Sequence, residues 1–530
     1  MTQVQLYDTT LRDGAQREGI SFSVVDKLHI VEKLDELGVH FIEGGWPGSN
    51  PKDVEFFTKA QSLAFSHAKL VAFGSTRRPG IKAETDANLL ALASAGVEVV
   101  TIVGKSSELQ VTQVLETTSD ENLSMITDSI EYLRGRGLTV FLDAEHFFDG
   151  FKDNPVYTLR VLKVAAEAGA SCLVLCDTNG GTLPDEITVA VEAARKVSDV
   201  LLGIHAHNDG ELAVANTLAA VNAGVSQVQG TINGYGERCG NANLCSIIPD
   251  LKLKMGIDCV SDEQLAKLTE VSHYVSEVAN LIPDAFSPYV GSSAFSHKGG
   301  LHVSGLRKWT GSYQHVEPTW VGNKSRVLVS ELSGKENIIY KAREKGLDLP
   351  VKGKEAQKLL KQIKLLESRG FQYENAEASF ELLLHRAKPE YQSPFDLVDF
   401  MVVVEKRRRP PTPRNIEEML SEAVVKVKVG NEIMHTAAEG DGPVNALDEA
   451  LRKALLQFYP SLAQVKLVDY KVRILEESVG TGAQVRVLIE SSDGVEVWRT
   501  VGSSANIIEA SWLALADSLE YWLLKQKANN

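Results

Sequence analysis

The chain has 530 residues, with 55 Lys and Arg against 70 Asp and Glu, giving a formal charge of −15. That acidic balance excludes an electrostatic surface for nucleic acid or anionic membrane, because both need a basic footprint. An apolar fraction of 44% with 24% charged residues is the composition of a globular protein, and at about 150 residues per domain the length predicts three or four domains.

No stretch supplies the roughly 18 uncharged apolar residues of a membrane span. Asp8, Arg12 and Asp13 stand where a secretory signal would be apolar, so the expected location is the cytoplasm. Five cysteines, Cys172, Cys176, Cys239, Cys245 and Cys259, are too few and too clustered for a disulfide framework.

Along the first part of the chain, short apolar runs predict strands at Val4–Tyr7, Phe41–Glu43, Lys69–Phe73, Val97–Val103, Thr139–Asp143, Cys172–Cys176, Leu201–Ala206 and Gln227–Thr231. Amphipathic helical stretches such as Val25–Leu37, Asn122–Arg134 and Pro155–Ala168 lie between them. Strand–helix alternation is the pattern of an α/β parallel sheet, and eight units in about 240 residues predict a closed (β/α)8 TIM barrel over residues 1–275. No GxGxxG follows the first strand, which argues against a dinucleotide fold. Gly38, Gly96, Gly137, Gly169 and Gly224 each separate a helix end from the next strand, where a left-handed cap is wanted.

Residues 276–405 read as mainly helical, with helices near Val351–Ser368 and Ala376–His385. The Pro/Arg-rich run within 406–418 reads as a linker, since consecutive prolines block helix and sheet alike. Residues 419–530 predict a small α+β domain, with strands at Val424–Val429, Val465–Ile474 and Ala483–Glu490. Its helices at Pro443–Phe458 and Ile507–Trp522 each follow a glycine-bearing turn, which makes a pseudo-symmetric repeat.

In such a barrel the chemistry sits at the C-terminal ends of the strands. Six of the eight predicted ends carry ionisable groups, among them Arg12 and Asp13, Glu43, Glu145, and His205 and His207. Two histidines two residues apart share one side of a strand. With Asp13 from a neighbouring strand end, they form a 2-His-1-carboxylate face for a divalent metal. Arg12 is either a partner of Asp13 or a stabiliser of developing negative charge. Glu145 is either a surface carboxylate or, buried against Arg12, the orienter of a base, and Glu43 is a hydrogen-bond acceptor or a site residue. Cys176 and Cys239 read as small apolar fillers. Past the barrel, the segment Phe295–His302 and Tyr313 could deliver a histidine base.

Three motifs carry a family resemblance: Asp8-Thr9-Thr10-Leu11-Arg12-Asp13-Gly14-Ala15-Gln16, His205-Ala206-His207-Asn208-Asp209, and Gly236-Glu237-Arg238-Cys239-Gly240-Asn241-Ala242-Asn243. Together they resemble the homocitrate, isopropylmalate and citramalate synthases, acyl-CoA condensing enzymes of the DRE-TIM metallolyase type. The resemblance implies a TIM barrel, helical linker subdomains and a C-terminal LeuA-type allosteric domain. It implies that Asp13, His205 and His207 ligate Mn²⁺, Mg²⁺ or Zn²⁺, with Asn241 completing or supporting the site. It further implies Arg12 as oxyanion stabiliser, with Thr178 and Glu43 toward the substrate. His302, with Glu145 and Tyr313, would deprotonate the methyl group of acetyl-CoA.

Segments at Glu43–Pro51, Gly104–Ser106 and Glu145–Lys152 resemble the branch that uses pyruvate, although Gln110 departs from a histidine common in the wider family. A methyl against an isopropyl group is worth about 1–3 kcal/mol in an apolar pocket, so 2-oxoisovalerate is the alternative acceptor. A metal-dependent retro-aldol lyase is a more distant reading. The resemblance also implies a homodimer and feedback by a branched-chain amino acid, with isoleucine as the expected effector. Gly442, Val444, Ala446, Ala505 and Ile507 mark the expected effector region.

Overall fold

The computed structural model describes residues 4–328, 335–344, 354–388, 390–406, 419–475 and 483–529. Two compact units divide the chain: Met1–Phe295 with Gln314–Ser325, and Ser296–Tyr313 with Arg326–Asn530.

In the first unit, β1 (Gln5–Asp8), β2 (Phe41–Gly45), β3 (Lys69–Ser75), β4 (Val99–Lys105), β5 (Thr139–Glu145), β6 (Cys172–Asp177), β7 (Leu201–Ala206) and β8 (Gln227–Gly230) close into a barrel in sequence order. The closing pair sets Gln5 opposite Gln227 and Asp8 opposite Gly230, parallel like the rest. The eight predicted strands are all present, several extended by a residue or two at the C-terminal end, where the polar groups sit. The five inter-element glycines all have positive φ, from +72° at Gly96 to +109° at Gly224, a conformation that a β-carbon would strain.

Two apolar layers follow from the period-two alternation of strand side chains. Leu6, Ile42, Val100, Leu142, Leu173, Ile204 and Val228 pack outward with the helices in the main core. Tyr7, Val71, Val99, Phe141, Val174 and Cys176 form a separate inner cluster. Cys176 is therefore the buried filler expected of it, whereas Cys239 is exposed. The expectation for Cys239 fails because its loop turns outward at Glu237 and Arg238, which are partly exposed.

The second unit opens with the two-residue strands β9 (Ser296–His297) and β10 (Arg326–Val327), paired in parallel. Helices at Lys354–Ser368 and Glu377–Arg386 follow. The antiparallel sheet β11 (Asp396–Lys406), β12 (Met419–Val429) and β13 (Glu432–Gly440) leads into helix Pro443–Leu455. A second sheet of β14 (Lys466–Ile474), β15 (Val485–Ser492) and β16 (Val497–Ser504) leads into helix Ile507–Asn529.

The repeat is visible in single bonds. Thr436 Oγ1 donates to Ala450 O at 2.7 Å, and Thr500 Oγ1 donates to Ala514 O at 2.7 Å. Each repeat has three strands where the sequence reading found fewer. β11 lies in the stretch expected to be helical, although Val398, Phe400, Val402, Val403 and Val404 favour a strand, and it pairs antiparallel with β12 along its length apart from a register shift between Leu397 and Asp399. Most of the proline- and arginine-rich linker, residues 407–418, lies outside the described residues.

Candidate metal centre and active-site cleft

The loop after β1 divides its labour. The Asp8 carboxylate accepts from Thr10 N at 2.9 Å and from Thr10 Oγ1 at 2.8 Å. Thr10 Oγ1 in turn accepts from Ile232 N beyond β8 at 2.9 Å. These buried bonds pin the turn, so that Arg12 and Asp13 emerge at the barrel mouth. Burial pushes the Asp8 carboxyl up to about 7.

His205 is the penultimate residue of β7 and His207 follows the strand, their ring centroids 5.2 Å apart. His205 Nε2 lies 3.4 Å and His207 Nε2 4.0 Å from Asp13 Oδ2. Among the described residues, Asp13, His205 and His207 are the one group of His, Cys, Asp and Glu whose ligand atoms all lie within 4.8 Å of one another.

Asn241 Nδ2 donates to Asp13 Oδ1 at 3.0 Å and to Tyr235 O at 3.1 Å. That amide reaches Asp13 because Gly236 makes room: a β-carbon there would stand 2.1 Å from Asn241 Nδ2. Asn241 Oδ1 and His207 Nδ1 are buried without hydrogen-bond partners, which is unusual for buried polar atoms. Two imidazoles, a carboxylate and an unpartnered amide oxygen fit a divalent cation.

Charge favours the same conclusion at Asp13 and His207. Burial opposes ionisation of Asp13, but Arg12 and the two imidazoles outweigh it and hold the carboxyl well below the usual range. Burial, reinforced by His205, pushes His207 down to about 4, which leaves it neutral with a free lone pair at neutral pH. For His205, burial lowers the pKa, but the hydrogen bond and charge of Asp13 raise it further.

Arg12 is held from two sides. Its Nε donates to Glu43 Oε1 at 2.5 Å, and its Nη1 donates to Asp13 Oδ2 at 3.3 Å. The guanidinium carbon lies 3.9 Å from the Phe73 ring centroid. Glu43, expected toward the substrate, is instead fully buried behind Arg12, its other oxygen taken by the Tyr7 hydroxyl at 2.7 Å.

Glu145 does not meet Arg12. It pairs with Lys105, its in-register neighbour across β4 and β5. Lys105 itself is a site residue that the sequence reading quoted without assigning a role.

A cleft of about 440 Å³ opens here, lined by Arg12, Asp13, Lys105, Glu145, Thr178 and His207, with Trp46, Phe73 and Val103 as its apolar wall. Thr178 Oγ1 accepts from His146 N at 2.8 Å. The Arg238–Asp209 ion pair, at 2.8 Å, ties the loop after β8 to the loop after β7.

His302 and Tyr313 belong to the second unit. Their rings stack with centroids 4.1 Å apart at 17°. Gly442, Val444 and Ala446 open helix Pro443–Leu455, and Ala505 and Ile507 open helix Ile507–Asn529. Val444 packs against Val487, Ile489, Ala510, Ala514 and Leu515. No helix of the described residues is long and apolar enough to cross a membrane.

A closed barrel with this triad at its mouth defines the class: the chain belongs to the HMGL-like family, a metal-dependent group, whose model matches residues 3–275. Residues 289–370 match the homocitrate synthase post-HMGL domain, and residues 374–523 match the LeuA allosteric (dimerisation) domain. Over its full length the chain is 54% identical to the (R)-citramalate synthase of Geobacter sulfurreducens, across 99% of both chains. It is 52% identical to the (R)-citramalate synthase of Aquifex aeolicus, across 99% of this chain and 98% of the relative. A third (R)-citramalate synthase, from Synechocystis, is 51% identical across 98% and 96%.

Proposed function

We propose that the chain condenses acetyl-CoA with pyruvate and water to give (R)-citramalate and CoA. The identity of 54% over 99% of the chain to a named (R)-citramalate synthase carries this reading, and the Asp13–His205–His207 cluster beside Arg12 supports it.

Asp13, His205 and His207, with Asn241 beside them, hold a divalent cation, which when bound supplies Lewis-acid polarisation and a template for the 2-oxo acid. Arg12, fixed by Glu43, faces the oxygen that becomes an alkoxide and stabilises its charge. The Thr178 hydroxyl donates to the substrate carboxylate. Phe73, Val103 and Trp46 leave an apolar wall for the methyl group of pyruvate.

His302 acts as the base that removes a proton from the acetyl methyl, its ring plane set by Tyr313, with Glu145 assisting. The resulting carbon nucleophile bonds to the ketone carbon, and water then cleaves the thioester, releasing CoA and making the overall reaction effectively irreversible. The match to the LeuA allosteric (dimerisation) domain supports a homodimer with a regulatory site, and the effector we assign to it is isoleucine, at Gly442–Ala446 and Ala505–Ile507.

Release of free CoA by purified protein with Mn²⁺, acetyl-CoA and a panel of 2-oxo acids tests the assignment. Pyruvate is expected to give the highest kcat/KM. A preference for 2-oxoisovalerate would assign isopropylmalate synthesis instead, and cleavage without acetyl-CoA would assign a lyase.

A further inference from the structure

His205 and Gln229 are register partners on the adjacent parallel strands β7 and β8, and both are buried, at 5% and 0% exposure. His205 Nδ1 lies 2.9 Å from Gln229 Oε1. Gln229 Nε2 lies 3.3 Å from Asp143 Oδ1 on β5, also buried. An amide has one acceptor end and one donor end, and the carboxylate of Asp143 can only accept when ionised. The donor end of Gln229 therefore turns to Asp143 and the acceptor end to His205. A side-chain flip would set the amide oxygen against that carboxylate.

From this geometry we infer that Gln229, oriented by Asp143, is a positioning residue that keeps a proton on His205 Nδ1, so that Nε2, 3.4 Å from Asp13 Oδ2, is the nitrogen presented to the cation. Neither residue lines the cleft, and both act through His205. The chain of contacts runs Asp143, Gln229, His205 and then the candidate metal centre. Partners of this kind on a metal-binding imidazole fix its tautomer and ring orientation, and their loss costs about 10–100-fold in metal affinity. A neutral amide achieves this without adding a negative charge beside Asp13, in a barrel interior that already holds Glu43 and Asp143.

The inference rests on His205 being a metal ligand, and its test separates the two claims. Mn²⁺ binding is measured by calorimetry on the full chain, in its native form and with Gln229→Met, which keeps the volume and removes the amide. Native protein that binds no Mn²⁺ overturns the ligand reading itself. With native binding present, Gln229→Met is expected to weaken it about 10–100-fold.

The Asp143→Asn/Gln229→Glu double variant exchanges donor and acceptor roles at constant charge. The carboxylate at position 229 then accepts from both His205 Nδ1 and the new amide at 143. This variant is expected to restore Mn²⁺ affinity to within a few-fold of native. Native affinity in Gln229→Met overturns the inference, as does a double variant that binds no more tightly than Gln229→Met. Should Gln229→Met fail to fold, the double variant decides alone: near-native Mn²⁺ affinity supports the positioning role, and lost affinity overturns it.

Discussion

Glu43 Oε1 and Arg12 Nε lie 2.5 Å apart, joining the end of β2 to the loop after β1. A fully buried carboxylate thus holds a guanidinium that is itself only 15% exposed along its side chain. Hydrogen bonds to charged groups contribute about 1.5–3 kcal/mol. Glu43→Gln keeps the shape and loses the charge. It is expected to lower stability by about that amount in denaturant titration, and to lower kcat at least ten-fold while Mn²⁺ affinity holds. An unchanged kcat would show that Arg12 keeps its place without Glu43.

His302→Ala separates metal binding from proton abstraction. The variant is expected to bind Mn²⁺ and pyruvate normally but to lose CoA release by about 10²–10⁴-fold, the usual worth of a positioned base. Exchange of the acetyl methyl protons into deuterated water should fall in parallel. Retained exchange would move the base role to Glu145 or elsewhere.

Regulation is tested by removing residues 374–530. A cut inside 406–418 would leave β11 without β12, its partner from Asp396↔Lys428 to Lys406↔Met419. Removal of the whole matched LeuA region is expected to abolish inhibition by isoleucine while Mn²⁺ binding by the barrel remains. Inhibition that persists would place the effector in the barrel.

The barrel and the clustering of Asp13, His205 and His207 were legible because each follows from periodicity. Strand–helix alternation places the strand ends, and a spacing of two puts His205, near the end of β7, and His207, just beyond it, on one side of the chain. Pairings between strands were harder to read. Glu43 and Glu145 both end strands as carboxylates, yet only the register puts Lys105 beside Glu145 and leaves Glu43 for Arg12.

Gln229 carried a signal that went unused: Gln227 and Gln229 alternate within a wholly buried strand, where polar side chains need partners. In the C-terminal half, β13 was missed because Glu432–Gly440 holds Ala, Glu, His and Met, residues with little strand preference. Its pairing with β12, from Val429↔Glu432 to Ser421↔Gly440, supplies what composition withholds.

The central claim is that Asp13, His205 and His207 grip one divalent cation, and calorimetric titration of Mn²⁺ tests it most directly. Native protein is expected to bind one ion per chain, and both Asp13→Asn and His207→Ala are expected to lose that binding together with CoA release. If either variant binds Mn²⁺ as tightly as the native chain, with the same stoichiometry, the cation is held elsewhere and the assignment of this centre is wrong.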